Sequence, residues 1–323
     1  MTPAMHSPAS WLGGYIPDLP TPFDSIHEVD LTSFRQLCER QIAAGATALV
    51  VGELTGEDST LTAAEHSALV RAAAQTARGR AAVIAGAGSN STSEAIELTK
   101  QAEADGADAV LSVVPYYNKP TQSGICAHFF AVADSTKLPI VLHDAPSRTV
   151  RELSDDSVVE LARSPQFFGL RDATGDITRP LRLRSLVRPE FRLLSGDDTT
   201  APAFLVHGGD GCISMTSNVV PDLCQQLYRS CRQGELKAAR GLAVLLGHLT
   251  AALSREPTPA PLKYALSLLG MMSPRVRLPL VELSDESKTD VAMAMETLCK
   301  ESGLQPAVAG PTPRLQSSAA SAH

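Results

Sequence analysis

Thr55, Tyr116, Tyr117, His143, Arg148 and Arg171 each stand at or just beyond the end of a short aliphatic run, in a company that also includes Glu53, Glu57, Asp197 and Asp198. A guanidinium binds carboxylate with two parallel hydrogen bonds and keeps its charge when partly buried, so two arginines at one place suit a small anionic ligand. A histidine titrates near neutrality and can move a proton. Other uses of the same side chains remain open. Arg171 is equally suited to an ion pair with Glu53, His143 to a satisfied interior position, and Tyr116 and Tyr117 to packing. Asp197 and Asp198 fit the cap of the seventh helix better than a metal site. Metal-assisted chemistry by Glu53, His143 and Asp144 has no ligand-spacing signature behind it, and neither a metal nor a cofactor is expected.

These positions matter because of the elements that carry them. Aliphatic runs at 15–19, 48–51, 81–86, 109–114, 139–143, 167–171, 191–196 and 211–215 are too short for helices and are bounded by turn or capping residues. Longer amphipathic stretches separate them. One begins with Thr62 and Glu65 and another with Ser91 and Glu94, both spaced as capping boxes, and Gly45 and Gly106 follow helix ends. Eight regular strand–helix units predict an α/β fold, a (β/α)8 TIM barrel, over 14–218, in preference to a doubly wound sheet. Helices at 221–232, 236–254, 261–269 and 285–299 predict a C-terminal helical extension over 219–303. Residues 1–13 and the Ser/Ala/Pro-rich 304–323 are expected to be disordered. In such a barrel, reactive groups come from the C-terminal ends of the strands. That rule selects Thr55-Gly56-Glu57, Tyr116-Tyr117-Asn118, 143–149, Arg171, Gly196-Asp197-Asp198 and Ile213-Ser214.

Composition narrows the classes. Of 323 residues, 44% are hydrophobic and 20% charged, as in a globular chain with a sizeable core. The net charge of −7 and the scattered basic residues leave no footprint for nucleic acid. No apolar run approaches the roughly 20 residues of a membrane span, and the N-terminus lacks the pattern of a signal peptide, so a cytoplasmic location is expected. The six cysteines form no C-x-x-C pair and read as buried thiols.

Eight segments in register carry a resemblance: TPF at 21–23, LTGEDSTLTAAEH at 54–66, VVPYYNKPTQSG at 113–124, APSRT at 145–149, ATGD at 173–176, LSGDD at 194–198, GCIS at 211–214 and PLKYALSLLG at 261–270. Together they resemble the dihydrodipicolinate synthase / N-acetylneuraminate lyase family over about 14–298, with YYNKP and PSRT closer to the synthases. The resemblance implies a barrel that condenses or cleaves at the methyl carbon of pyruvate, through an imine on a lysine at the end of strand 6. It makes Thr55 and the backbone at Ile213 pyruvate-binding positions, Arg148 the holder of a second substrate's carboxylate, and Tyr117 a tyrosine offered across a subunit boundary. A homo-oligomer, dimer or tetramer, follows from that last role.

The departures fall on the chemical positions. K-E-A-T-G of the family stands here as Arg171-Asp172-Ala173-Thr174-Gly175, Y-N-V-P-S-R-T begins here with His143, and G-T-T-G-E is Glu53-Leu54-Thr55-Gly56-Glu57. The imine-forming lysine, the proton-shuttling tyrosine and the relay threonine thus correspond to Arg171, His143 and Leu54. A guanidinium offers no free amine lone pair near neutrality and cannot attack a ketone as lysine does. Lys119 is the one lysine near the tyrosines that could substitute. Two functions are compatible with this pattern. One is an enzyme that handles a 2-oxo acid without an imine, with Arg171 holding an oxygen and His143 moving protons. The other is a non-catalytic paralogue that binds a small carboxylate or partners another subunit.

Overall fold

The computed structural model describes residues 11–302. Eight parallel strands alternate with helices: β1 Gly14–Pro17, β2 Ala48–Val51, β3 Ala82–Gly86, β4 Ala109–Val113, β5 Ile140–Asp144, β6 Phe167–Asp172, β7 Arg192–Ser195 and β8 Gly211–Ser214. The ladder runs β1-β8-β7-β6-β5-β4-β3-β2, and a parallel bridge between Asp18 and Val50, just past β1, brings the two ends together. The predicted TIM barrel is the observed fold, with strand ends within two residues of those read from sequence.

Strand parity sorts the side chains. Leu12, Ile16, Ala48, Val50, Ile84, Leu111, Val141, Leu194 and Ile213 form one cluster that fills the barrel. Their neighbours on alternate positions, such as Tyr15, Leu49, Leu142 and Leu193, pack outward against the helices. Leu12 is fully buried in the barrel cluster, so ordered packing begins inside the segment expected to be disordered; residues 1–10 and 303–323 lie outside the described residues.

The helices are α1 Leu31–Ala43, α2 Ala63–Ala77, α3 Thr92–Ala104, α4 Gln122–Ala133, the short α5 Pro146–Thr149, α6 Asp155–Ala162, α7 Arg179–Arg184 and α8 Ala201–Val206. Thr62 and Glu65 form a reciprocal capping box on α2. The matching pair on α3 is only half formed. Ser91 accepts from the Glu94 amide, but the Glu94 carboxylate turns to the Ser89 hydroxyl at 2.6 Å, a nearer donor.

The extension consists of α9 Pro221–Gln233, α10 Leu236–Leu253, α11 Ala260–Leu268 and α12 Asp285–Ser302. By length and composition α10 could cross a membrane; in the fold it packs against α9 and α12 through Ala239, Leu246, Leu249 and Leu253. The extension is locked to the barrel by charge as well as apolar contact. Lys263 on α11 is wholly buried, donates to Glu57 Oε1 at 2.5 Å and to the Arg275 carbonyl at 2.7 Å, and sits 4.1 Å from the centre of the Phe23 ring. Arg277 lies over the same ring and grips Glu65 with two hydrogen bonds. Removing one partner of a buried pair strands the other. Lys263→Met is therefore expected to destabilise the protein by about 3–5 kcal/mol in urea denaturation; a loss below about 1 kcal/mol would show that Glu57 finds other partners.

Candidate active site

Parity places Asp18 above Ile16, His143 above Val141 and Arg171 above Gly169, all turned into the barrel at its C-terminal mouth. His143 and Arg171 are register partners on β5 and β6. Asp18 follows β1, and Glu53 follows β2 at the start of a 3-10 turn over Leu54–Gly56. β1 and β2 lie across the barrel from β5 and β6 in the strand order, so contacts between the two pairs span the mouth.

The contacts are made. Arg171 Nη1 donates to Glu53 Oε2 at 2.8 Å, and Arg171 Nη2 lies 3.0 Å from Asp18 Oδ2. Glu53 Oε1 is 2.7 Å from His143 Nδ1. All four residues are buried, Asp18 completely. Gly196 on the loop after β7 makes room for the arginine stem, because a Cβ there would come within 3.1 Å of Arg171 Cγ and 2.9 Å of Ala173 Cβ. The Glu53–Arg171 pair anticipated as one use of Arg171 is thus present, and one carboxylate holds both the arginine and the histidine.

The four groups set one another's charge. Burial acts to raise the Glu53 carboxyl, but His143 and Arg171 together outweigh it and hold it well below the usual range. Burial lowers the His143 imidazole below its ordinary value; Arg171 adds to that and Glu53 opposes it. His143 is accordingly neutral near pH 7, with Nδ1–H donating to Glu53 and the lone pair on Nε2. Burial pushes Asp18 up to about 7, helped by Glu53 and opposed by Arg171 and Thr55. Arg171 stays charged, since Asp18 and Glu53 overcome the cost of its burial.

Two features leave polar atoms of the cluster without partners. Arg171 Nε and both Asp18 oxygens are sealed and lack a well-directed hydrogen bond among the described residues, so the Arg171–Asp18 contact is one of charge and poor angle. His143 Nε2 also lacks a protein partner there, yet unlike Nε2 of His66 and His128 it is not sealed from solvent.

The other expected site residues divide. Thr55 is buried beside Asp18, and Ile213 lies on β8 within the barrel cluster. Arg148, in α5, is exposed, and its side chain has no partner among the described residues. Tyr117 stands away from the cluster, 89% exposed at a φ of 69°. Lys119 is exposed too, and does not join the four. Asp144 cannot combine with His143 and Glu53, because parity turns it outward to Arg179 Nη1 at 2.8 Å. Asp198 does not cap a helix. It braces the turn after β8, accepting from the Ser214 hydroxyl and the Met215 and Thr216 amides, whereas Asp197 accepts from Thr199 and Thr200 ahead of α8. Sequence reading missed Asp18; an acid two residues beyond Ile16, on the inward parity of a buried strand, was the available signal.

A (β/α)8 barrel with ionisable groups gathered at the C-terminal strand ends is the plan of a barrel enzyme. More narrowly, the chain belongs to the dihydrodipicolinate synthetase family, whose pattern matches residues 11–298. It is 48% identical over 289 residues to the 4-hydroxy-tetrahydrodipicolinate synthase of Hyphomonas neptunium, covering 88% of this chain and 98% of that one. Among solved structures it is similar to the chloride-inhibited dihydrodipicolinate synthase of Acinetobacter baumannii complexed with pyruvate, at 37% identity and a TM-score of 0.86, over 88% of this chain and 98% of that one. A monomeric dihydrodipicolinate synthase variant aligns with a TM-score of 0.88 at 35% identity, over 90% of this chain and 98% of that one.

Asp18 runs opposite to an ordinary carboxylate. Its folded-state pKa lies above its unfolded value, so the stability it confers is full below about pH 4 and is lost as pH rises through about 7. Relative to Asp18→Asn, the unaltered protein should lose on the order of 2–4 kcal/mol between about pH 4 and pH 8. Urea midpoints of the two proteins across that range measure it, and a difference that stays flat would place the proton elsewhere.

Proposed function

We propose that this chain keeps a site for a 2-oxo acid or similar small carboxylate at the barrel mouth and does not form an imine with it. The observation that carries the reading is the guanidinium of Arg171, held between Glu53 and Asp18 where the family resemblance puts an imine-forming lysine. Lys263 does not replace it, because its amine is committed to Glu57 and the Arg275 carbonyl. Support for ligand binding comes from the charged Arg171 at the mouth, from Thr55 beside Asp18, and from Arg148, exposed and free to take a second carboxylate. The solved relative that holds pyruvate supports the same substrate class.

Glu53 takes one end of the guanidinium, so a ligand carboxylate would meet Arg171 at the Nε–Nη2 edge, which is sealed here and faced by Asp18. Asp18 contests that edge. An incoming anion and an ionised Asp18 repel, so binding takes up a proton at Asp18. The exposed Tyr117 fits a homo-oligomer in which a neighbouring subunit covers it.

A second reading, a non-catalytic paralogue, is favoured by the closure itself: four buried side chains bridge the mouth and neutralise one another. Both readings exclude imine turnover. Incubation with pyruvate and borohydride followed by intact mass should show no adduct, either in this protein or in Arg171→Lys, whose new amine Glu53 and Asp18 would hold protonated. A trapped adduct in the unaltered protein would overturn the proposal. Pyruvate binding followed by saturation-transfer NMR should weaken by about tenfold per pH unit above neutrality, and Asp18→Asn should remove that dependence; no binding at any pH would favour the second reading.

A further inference from the structure

The Glu53–His143 contact is arranged as a positioned base is. A neutral imidazole can donate from one nitrogen only, and the 2.7 Å contact of Nδ1 with an ionised carboxylate fixes which one. Nε2 is left with its lone pair and without a protein partner; the side chain is only 3% exposed, but Nε2 is not sealed in as it is in His66 and His128. Arg171 lies on the adjacent strand at the same register, charged and paired with the same Glu53, though its Nε–H is sealed. A base and a fixed cation thus stand side by side at the mouth, the two groups that proton removal next to a carbonyl requires.

We propose that His143, positioned by Glu53, removes a proton from the carbon adjacent to the ketone of a bound 2-oxo acid, without an imine, while Arg171 holds the enolate oxygen. The inference rests on the 2-oxo acid reading of the site. In the step, the C3–H bond breaks and its proton passes to Nε2. The bonding pair becomes the C2=C3 double bond, and the carbonyl π pair moves onto oxygen beside the guanidinium. Reversal delivers a solvent-derived proton to C3, so no oxidant, reductant or further reactant is needed. Glu53 does not touch the substrate. It is a positioning residue, fixing the tautomer and stabilising the imidazolium that forms.

The test is exchange of the methyl protons of pyruvate in D2O, followed by proton NMR, with binding followed in the same samples by saturation transfer. The protein should speed exchange at least tenfold over buffer, with no borohydride-trappable adduct. His143→Gln should still bind pyruvate and lose the enhancement. Glu53→Gln can still accept from Nδ1–H through its amide oxygen, so exchange should fall by about tenfold rather than vanish. Its acid limb should move to lower pH, because the charge that favoured the imidazolium is gone; Glu53→Asp should recover part of the rate. A purely structural role for Glu53 would scale the rate without moving that limb. Binding without enhanced exchange would overturn this inference and leave the binding reading intact. Absence of binding would overturn both, and a trapped adduct would assign the exchange to an imine.

Discussion

The mouth of the barrel is organised by one guanidinium that reaches across it. Arg171 comes from β6, and its two carboxylate partners come from the opposite wall, Asp18 after β1 and Glu53 after β2. A charge buried this deeply is tolerable only when opposite charge lies in contact with it. Glu53 answers that need first. Because it must stay ionised beside Arg171, it can also fix the tautomer of His143. Asp18, left with the weaker share of the same cation and without well-directed hydrogen bonds, becomes the group that carries a proton near neutrality.

A second buried cation, Lys263, shows what the surrounding scaffold does differently. It too is paired with a carboxylate, Glu57, but a second of its three donors goes to the Arg275 carbonyl and the ammonium lies over Phe23. Nothing there is left to bind a ligand, and the cluster ties the helical extension to the β2–α2 loop. Thr21 closes the same loop from the other side by donating to the Gly56 carbonyl at 2.6 Å. The turn that presents Glu53 and Thr55 is therefore held from two sides, which is what a positioned carboxylate requires.

Most of the fold was legible because period and punctuation agree. Short aliphatic runs alternating with capped amphipathic stretches leave few architectures other than the barrel, and the strand-end rule then selected His143, Arg171, Thr55 and Arg148. What sequence could not supply was direction across space. Asp18 lay inside a run read as strand, and its carboxylate acquires meaning only once Arg171 is known to reach it from the far wall. Lys263 sits on α11 between Leu262 and Ala265, which hints at a buried stripe, yet its partner is 206 residues away. Glu94 has the spacing of a capping box and fails to complete one because a neighbouring hydroxyl competes. Local rules of this kind describe what a residue can do; the packed structure decides between acceptors.

The four mouth residues are also interdependent in a way that constrains how such a site can change. With lysine at position 171, the planar two-ended donor that spans Glu53 and Asp18 would become a single point charge, unable to satisfy both acids in the same geometry. Without Glu53, Arg171 would rely on Asp18 alone, which would then give up its proton, and His143 would lose the contact that fixes its tautomer. Phenylalanine in place of His143 would leave Glu53 Oε1 buried without a donor at that point, at a cost of about 1–3 kcal/mol or more for a charged group. Each of these three exchanges thus strands or recharges a group held by the others, so no one of the positions changes independently.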